Sequence, residues 1–587
     1  MTTPPRAQTT DPPAAPSPQA PPSSNADRDD DSNDTRATDT NATAERDRSE
    51  FARRHADGSR DDDGDAPTPS LLGAWRWWLP VALAALALAL LFVDPFAGDW
   101  DALDYTVLAL RGEPSTMLFG RSLFIFTNHI AFRVAHALFG LSADDAYLLF
   151  KYTVVCEAPL AAVALWALAR ELTDDLRAAT LAALMLAVSP FFVIYSGQAM
   201  TETPSLLLLS LSLVVHLRGV RQRRAALVLA GAALLGLDNN VREAAAIYGA
   251  WLVVAPFACG WKFSRRDLFS VAASCAVFFV CAFAPFLSFY LGDVNNYRAG
   301  WHGWVASMRA EEAVHPVGWL NFAPLLLFFF VAAPAALVAL PGALRREWRA
   351  RGFSPAFALA CVGAAANLSL VTHYSAVING RYLLTGLPGI LPLTAAYLVR
   401  RATERTGDAR RGFKRAATIA TAAALVCGSV FYAVSRHTLG AHAVTKEYLA
   451  RLQSLPPDAV VMAGGQTVSV NYYRALGYGH WDVIGTGGGF PGASRLADVI
   501  DGNLRAGRRV FVDTDSRLWF NDAWRGEETR ALVALQTRFR FRRVSPTIYE
   551  IRPADDTSAQ DDPQLARLLR QPPTPARRLL GWLKSHA

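Results

Sequence analysis

The stretch FAGDWDALDY (96–105) sets three carboxylates, Asp99, Asp101 and Asp104, within six positions, just after a run of Leu, Ala and Val. Three more polar stretches separate apolar blocks further on. They are YSGQAMTETPS (195–205) with Glu202, GLDNNVREAA (236–245) with Asp238, Arg242 and Glu243, and HYSAVINGRYLLTGLP (373–388) with His373, Arg381 and Tyr382. An ionisable group beside hydrocarbon is costly to desolvate, so it becomes a functional candidate once a partner of opposite sign can be named. Here Asp99, Asp101, Glu202, Asp238 and Glu243 stand on one side and Arg242 and Arg381 on the other. Such a set suits a reaction in which a carboxylate takes a proton from a hydroxyl while guanidinium forks hold a phosphate leaving group.

The elements that must gather these residues are membrane helices. Of 587 residues, 52% are hydrophobic and 19% charged, and the apolar ones come in long blocks, which marks a polytopic membrane protein. Blocks at 74–93, 147–169, 178–195, 203–217, 225–237, 244–259, 268–291, 319–344, 354–372, 382–399 and 415–435 predict about eleven spans, some of them short. Basic loops at 216–225, 260–267, 344–352 and 400–415 alternate with less basic ones at 94–146, 292–318 and 373–381. That alternation puts the N-terminal tail in the cytoplasm and all four polar stretches outside, together with everything after 436.

The tail, 1–70, is rich in Pro, Ser, Thr, Asp and Arg; it is expected to be disordered and holds no cleavable signal peptide. Within the first outer loop (94–146), Arg121, Asn128, His129, Arg133 and His136 interrupt an apolar run, which predicts one or two amphipathic helices along the outer surface. Region 437–554 changes character: DAVVMAGG, RRVFVDT and TIYEIRP are strand-like, and GEETRALVALQTRF is helix-like. The expected fold is an α-helical polytopic membrane domain (71–436) with a small C-terminal soluble α/β domain (437–554) and a tail (555–587). Stretch 236–243 is the one broken-helix feature visible in the sequence.

Plainer readings accompany each candidate. The three aspartates could form a solvated N-capping segment. Glu202, two residues before Pro204, could simply start a helix at its positive dipole end. Arg242 and Glu243 are adjacent and need separate partners, and an ion pair of Arg242 with Asp238 competes with phosphate binding. Arg381 with Tyr382 could anchor a span by snorkelling. His373 reads as an interfacial polar residue, the loop NNYRAGWHGW (295–304) as an aromatic belt, and GTGGGFPG (485–492), which lacks the spacing of a phosphate loop, as a turn.

In their order along the chain these landmarks resemble the GT-C superfamily of membrane glycosyltransferases, and most of all the branch with the protein O-mannosyltransferases and the lipid A aminoarabinose transferase (family 39-like). The resemblance is carried by GDWDALDY in a long first outer loop, Glu202 to Pro204 heading the fourth span, GLDNNVRE, and HYSAVINGRY, and it covers roughly residues 74–435. It implies a polyprenyl-phosphate-linked sugar as donor, inverting transfer to a lipid, glycan or protein acceptor outside the cytoplasm, and residence in the cell membrane. It also implies that the first-loop aspartate is the general base. That role falls to Asp99 with Asp101 as competitor, because Trp100 stands where the family often has Glu. Glu202, Arg242, Glu243, His373, Arg381 and Tyr382 are then the substrate-binding set.

No cofactor is required by these residues, although Asp99, Asp101 and Glu202 could ligate Mg²⁺ or Mn²⁺ through oxygen. The formal charge of +7 comes from loop arginines and is weak evidence for nucleic acid, which is not an expected partner; membrane lipids are. The six cysteines show no CxxC pair, which argues against zinc and disulfides. A transporter or flippase of lipid-linked glycans would instead show mid-span charges and repeated halves, and a non-catalytic scaffold would not need converging outer charges.

Overall fold

The computed structural model describes residues 73–93, 100–113, 121–262, 264–292, 322–373, 380–404, 441–463, 467–485, 493–515, 522–556 and 565. The predicted tail, the span at 415–435, the aromatic loop at 295–304, most of GTGGGFPG, and Asp99 lie outside these residues.

Helices occupy ten of the eleven apolar blocks. They are α1 (Trp75–Leu91), α4 (Ala146–Thr173), the pair α5 (Leu176–Ala187) and α6 (Pro190–Ser196), α7 (Glu202–Gln222), α8 (Ala225–Asn239), α9 (Gly249–Ala258), α10 (Arg265–Gly292), the pair α11 (Phe322–Ala332) and α12 (Pro334–Arg351), α13 (Pro355–His373) and α14 (Leu387–Glu404). Between α1 and α4 lie α2 (Trp100–Arg111) and α3 (Ser122–Phe139). Four of the helices are long and apolar enough to cross a membrane singly, and two bent pairs pass the same test together.

Breaks are more numerous than the sequence suggested. The chain turns by 63° between α5 and α6 and by 102° between α11 and α12. Both bends have the same cause: Pro190 and Pro334 open the second helix of each pair and force Ser189 (ψ 123°) and Ala333 (φ −157°) out of helical geometry.

Small residues set the packing distances. A side chain at Gly389 of α14 would press on the Leu359 carbonyl at 2.6 Å and on Gly363 Cα at 2.8 Å, so α13 and α14 touch backbone to backbone. Gly231 of α8 meets the backbone of His216 on α7 in the same way. Close approach of this kind replaces the hydrophobic drive that helices lack inside lipid. At the end of the bundle away from the four polar stretches, loop charges pair off, Arg218 with Glu171 at 2.9 Å, Arg223 with Asp267 at 3.4 Å, and Arg346 with Glu404.

The C-terminal region holds a five-stranded sheet in the order β2-β1-β3-β5-β4, from β1 (Val460–Ala463), β2 (Asp482–Gly485), β3 (Val510–Asp513), β4 (Phe539–Arg543) and β5 (Ile548–Pro553). The first three strands run parallel, and β5 is antiparallel to β3 and β4. Helices α15 (Ala441–Gln453) and α16 (Thr467–Ala475) cover one face, while α17 (Ala493–Arg505) and α18 (Asp522–Leu535) cover the other. The predicted helix through Phe539 stops at Leu535, because Phe539 and Phe541 alternate with Arg540 and Arg542 and enter the sheet as β4.

Helix α2 joins the two parts. Ala102, Tyr105 and Ala109 pack on Phe124 and Ile125 of α3 and on Tyr147, Phe150 and Val154 of α4. Leu103 and Val107 enter the core formed by Tyr448, Val468, Tyr472, Trp481 and Phe511 of the C-terminal region.

Replacing Gly389 with Val should drive α13 and α14 apart. The expected result is a lower melting temperature in detergent and less monodisperse protein by size-exclusion chromatography, while Gly502→Val, at a position with open space around it, should change neither.

Candidate active site

The end of α8 supplies the first part of the site. Asn240 turns its amide back onto the Gly236 carbonyl at 3.0 Å and across to the Cys281 carbonyl of α10 at 2.9 Å. The chain then extends at Arg242 (φ −153°) and resumes as a 3₁₀ turn over Glu243–Tyr248. This extension throws Arg242 and Glu243 to opposite sides. Arg242 Nη1 donates to Glu202 Oε1 at 2.5 Å and to Thr201 Oγ1 at 3.2 Å. Glu243 instead faces Arg121 at 3.5 Å. The partner of Arg242 is therefore Glu202; the competing ion pair with Asp238 is not the one formed.

Glu202 opens α7, with Pro204 seated in the first turn, so its carboxylate meets the positive end of the helix dipole as well as two guanidinium groups. Arg381 is the second of these. It is carried by the 3₁₀ turn Gly380–Gly386, its Nε is 3.4 Å from Glu202 Oε1, and its Nη2 donates to Asp101 Oδ2 at 2.5 Å. Side-chain exposure is 1% for Glu202, 5% for Arg242, 6% for Arg381 and 13% for Asp101. Arg381 is thus not a snorkelling anchor. Tyr248 fixes its turn by donating to the Thr385 carbonyl at 2.8 Å, and a methyl group on Gly380 would run into the Phe191 ring.

The rings complete the enclosure. Tyr382 lies between the two arginines, 5.1 Å from Arg242 Cζ and 5.3 Å from Arg381 Cζ, and Tyr195 faces Arg381 from 5.9 Å. Arg121 stacks over Tyr105 at 5.4 Å. Its backbone is left-handed (φ 73°), a conformation disfavoured for a residue with a Cβ and kept where surrounding contacts demand it. The site thus combines Arg121, Arg242 and Arg381 with Asp101, Glu202 and Glu243, three charges against three.

Sequence reasoning brought forward Asp101, Glu202, Arg242, Glu243, Arg381 and Tyr382, and all of these converge. Asp99 and the side chain of His373 lie outside the described residues. Arg121 was read only as an interruption of an apolar run, and Lys151 of α4, fully buried with its ammonium 4.7 Å from the Tyr147 ring, was passed over. A single lysine inside a long apolar block was the signal available for the latter.

Burial alone would raise the pKa of Asp101, but the charges of Arg381, Arg121 and Arg242 together hold its carboxyl below the usual carboxylate range. One turn on, burial and the charge of Asp101 push Asp104 up to about 6 against the pull of Arg121 and Arg111. Arg242 Nε and Nη2 and Glu202 Oε2 have no hydrogen-bond partner among the described residues. A buried guanidinium with open donors is suited to an anionic oxygen. Among the described residues no three His, Cys, Asp or Glu side chains gather as a cation cage would need, and both Asp101 and Glu202 face guanidinium groups.

A model of the dolichyl-phosphate-mannose-protein mannosyltransferase family matches residues 130–289. Among solved structures, the archaeal oligosaccharyltransferase AglB from Archaeoglobus fulgidus, in complex with an inhibitory peptide and a dolichol-phosphate, superposes with a TM-score of 0.50 at 13% identity, over 82% of this chain and 74% of that one. The same enzyme tethered to an acceptor peptide containing the NVT sequon gives 0.50 at 12%, over 82% and 74%. The chain shares the fold of this oligosaccharyltransferase. ArnT from Cupriavidus metallidurans bound to undecaprenyl phosphate aligns with a TM-score of 0.49 at 13% identity, over 83% of this chain and 100% of that one. A comparison with curated proteins gives no match. In this fold the charged network lies where α2 meets the head of α7 and the Gly380–Gly386 turn.

Two outcomes test the electrostatics. Arg242→Ala strands Glu202 in a dry site and should cost about 3–5 kcal/mol; combining it with Glu202→Gln should recover much of that loss, read from unfolding of the single and double variants in detergent. For Asp104 the folded-state value of about 6 lies above that of an unfolded chain, so ionisation opposes folding above about pH 6 and the opposition fades as the pH falls toward 4. Asp104→Asn should therefore raise the melting temperature at pH 8, by the equivalent of at most about 3 kcal/mol before solvent screening, with the gain vanishing near pH 4.

Proposed function

We propose that the protein is a membrane glycosyltransferase that moves a sugar from a polyprenyl-phosphate donor to an acceptor hydroxyl or amide outside the cytoplasm, on a lipid, glycan or protein. The observation that carries this reading is the meeting of Asp101, Glu202, Arg242 and Arg381, drawn from four separate segments, in one buried network with open guanidinium donors. A scaffold has no use for such a network. The family model named for dolichyl-phosphate-mannose and the dolichol-phosphate in the AglB complex support the donor class.

In the proposed reaction the acceptor's proton passes to a first-loop carboxylate and the acceptor atom bonds to the anomeric carbon. The bond from that carbon to the phosphate oxygen breaks, and polyprenyl phosphate leaves with the electron pair. Attack opposite the leaving group inverts the anomeric centre. Arg242 and Arg381 hold the departing charge. Asp99 is the first choice of base and Asp101 the second, since the hold of Arg381 on Asp101 lowers its appetite for a proton. In either case Asp101 aims Arg381. The enzyme resides in the cell membrane with its C-terminal domain outside.

Membranes from cells overproducing the protein, supplied with radiolabelled polyprenyl-phosphate mannose and a panel of other sugars, should form labelled product. Asp99→Asn should cut turnover about a hundredfold or more with little change in donor binding; the same pattern in Asp101→Asn instead would exchange the two roles. Arg381→Ala should weaken donor binding and turnover together, and Arg381→Lys should rescue only partly because the fork is lost. Full transfer by all three variants would end the proposal.

A further inference from the structure

Asp101 does not reach Arg381 from a rigid part of the membrane bundle. It projects from the first turn of α2, a helix of 12 residues, and an isolated helix so short is marginal in water. The contact of α2 with the bundle is made by Ala102, Tyr105 and Ala109, with the half-buried Leu108 and Leu110 beside them. Leu103 and Val107 instead enter the core that the C-terminal region builds around Tyr448, Val468, Tyr472 and Trp481.

The angular relation matters. At roughly 100° per residue, Leu103 and Val107 stand about 200° and 240° round the helix from Asp101. The C-terminal core therefore bears on the back of α2, and its pressure is directed through the helix toward the Asp101–Arg381 contact. A second tie lies at the other end of the same loop, where the Tyr478 hydroxyl of the C-terminal region meets the Asp144 carboxylate just ahead of α4.

Building on the glycosyltransferase reading, we infer that the C-terminal α/β domain is part of the catalytic apparatus, with Leu103 and Val107 as positioning residues through which it sets the height and rotation of α2 and so seats Asp101 on Arg381. Without that support α2 loses the packing of one whole face and can shift on the other, which Ala102, Tyr105, Leu108, Ala109 and Leu110 form. A displacement of about 1 Å at such a site costs on the order of a hundredfold in rate. Donor binding depends on α2 only through Arg381, which Asp101 aims, while the hold of Arg242 is untouched, so turnover falls further than donor affinity.

The test compares Leu103→Ala/Val107→Ala, Leu103→Met and, from the domain side, Tyr472→Ala, each assayed with radiolabelled polyprenyl-phosphate mannose or whichever donor of the panel the wild type uses. Rates are referred to the amount of protein that binds donor, so that a partly unfolded sample does not pass for a slow one. The double alanine variant and Tyr472→Ala should lose at least tenfold in kcat with a much smaller rise in donor KM, while the volume-conserving Leu103→Met should stay near wild type. Wild-type kcat in the double variant, or parallel loss of donor affinity and kcat, overturns the inference. If the wild type transfers sugar from none of the donors, the glycosyltransferase reading itself fails; an active wild type with an unaffected double variant refutes only the positioning role.

Discussion

A glutamate sealed from water dictates the layout of the membrane domain. Glu202 exposes 1% of its side chain, and a carboxylate so placed costs several kcal/mol unless cations and hydrogen bonds compensate it. Compensation comes from Arg242, some 40 residues later, and Arg381, some 180 residues later. Each arginine must enter a space already crowded with helices, and each does so from a 3₁₀ or extended segment and not from a regular helix. The irregular backbone at 240–248 and 380–386 is the geometric consequence of satisfying one buried charge. Asn240 ties the first segment to α8 and α10 through the Gly236 and Cys281 carbonyls, and Tyr248 links the two segments by donating to the Thr385 carbonyl.

The same network explains the division of labour on α2. A helix inserted between a charged network, an apolar bundle and the sheet-bearing C-terminal region needs three different faces. Its acidic residues Asp101 and Asp104, its small residues and Tyr105, and its pair Leu103 and Val107 supply them. Two carboxylates one turn apart are driven to opposite acidities by their neighbours, Asp101 down by three arginines and Asp104 up by burial and by Asp101 itself. Both lie on the same short helix, so position relative to Arg381 makes the difference.

Much of this was legible before any coordinates. Apolar blocks gave the helices, and the rule that charges beside hydrocarbon need partners singled out Glu202, Arg242 and Arg381. Which charge meets which was not legible, because Asp238 is four residues from Arg242 whereas Glu202 is forty, and only packing chooses between them. The bends at Ser189 and Ala333 were announced by the following prolines yet hidden inside continuous apolar sequence. Strand β2 was not read from the sequence, and β4 escaped because it follows a helix with no Gly or Pro to punctuate the change. Arg121 had no local signal, since its importance lies in a backbone angle and in Glu243, more than a hundred residues away.

Arg121 also bears on how such a chain can change over time. Its left-handed backbone favours glycine, and relief of that strain amounts to about 1–2 kcal/mol. Glycine there would remove the partner of Glu243 and uncover the Tyr105 ring. The substitution that the backbone rewards is the one that the charge balance punishes, so position 121 sits on a ridge between two acceptable solutions. Crossing it requires Glu243 to change first or simultaneously. In a lineage of these chains, the two positions should move as a linked pair, with arginine and glutamate exchanged together for glycine and a neutral residue.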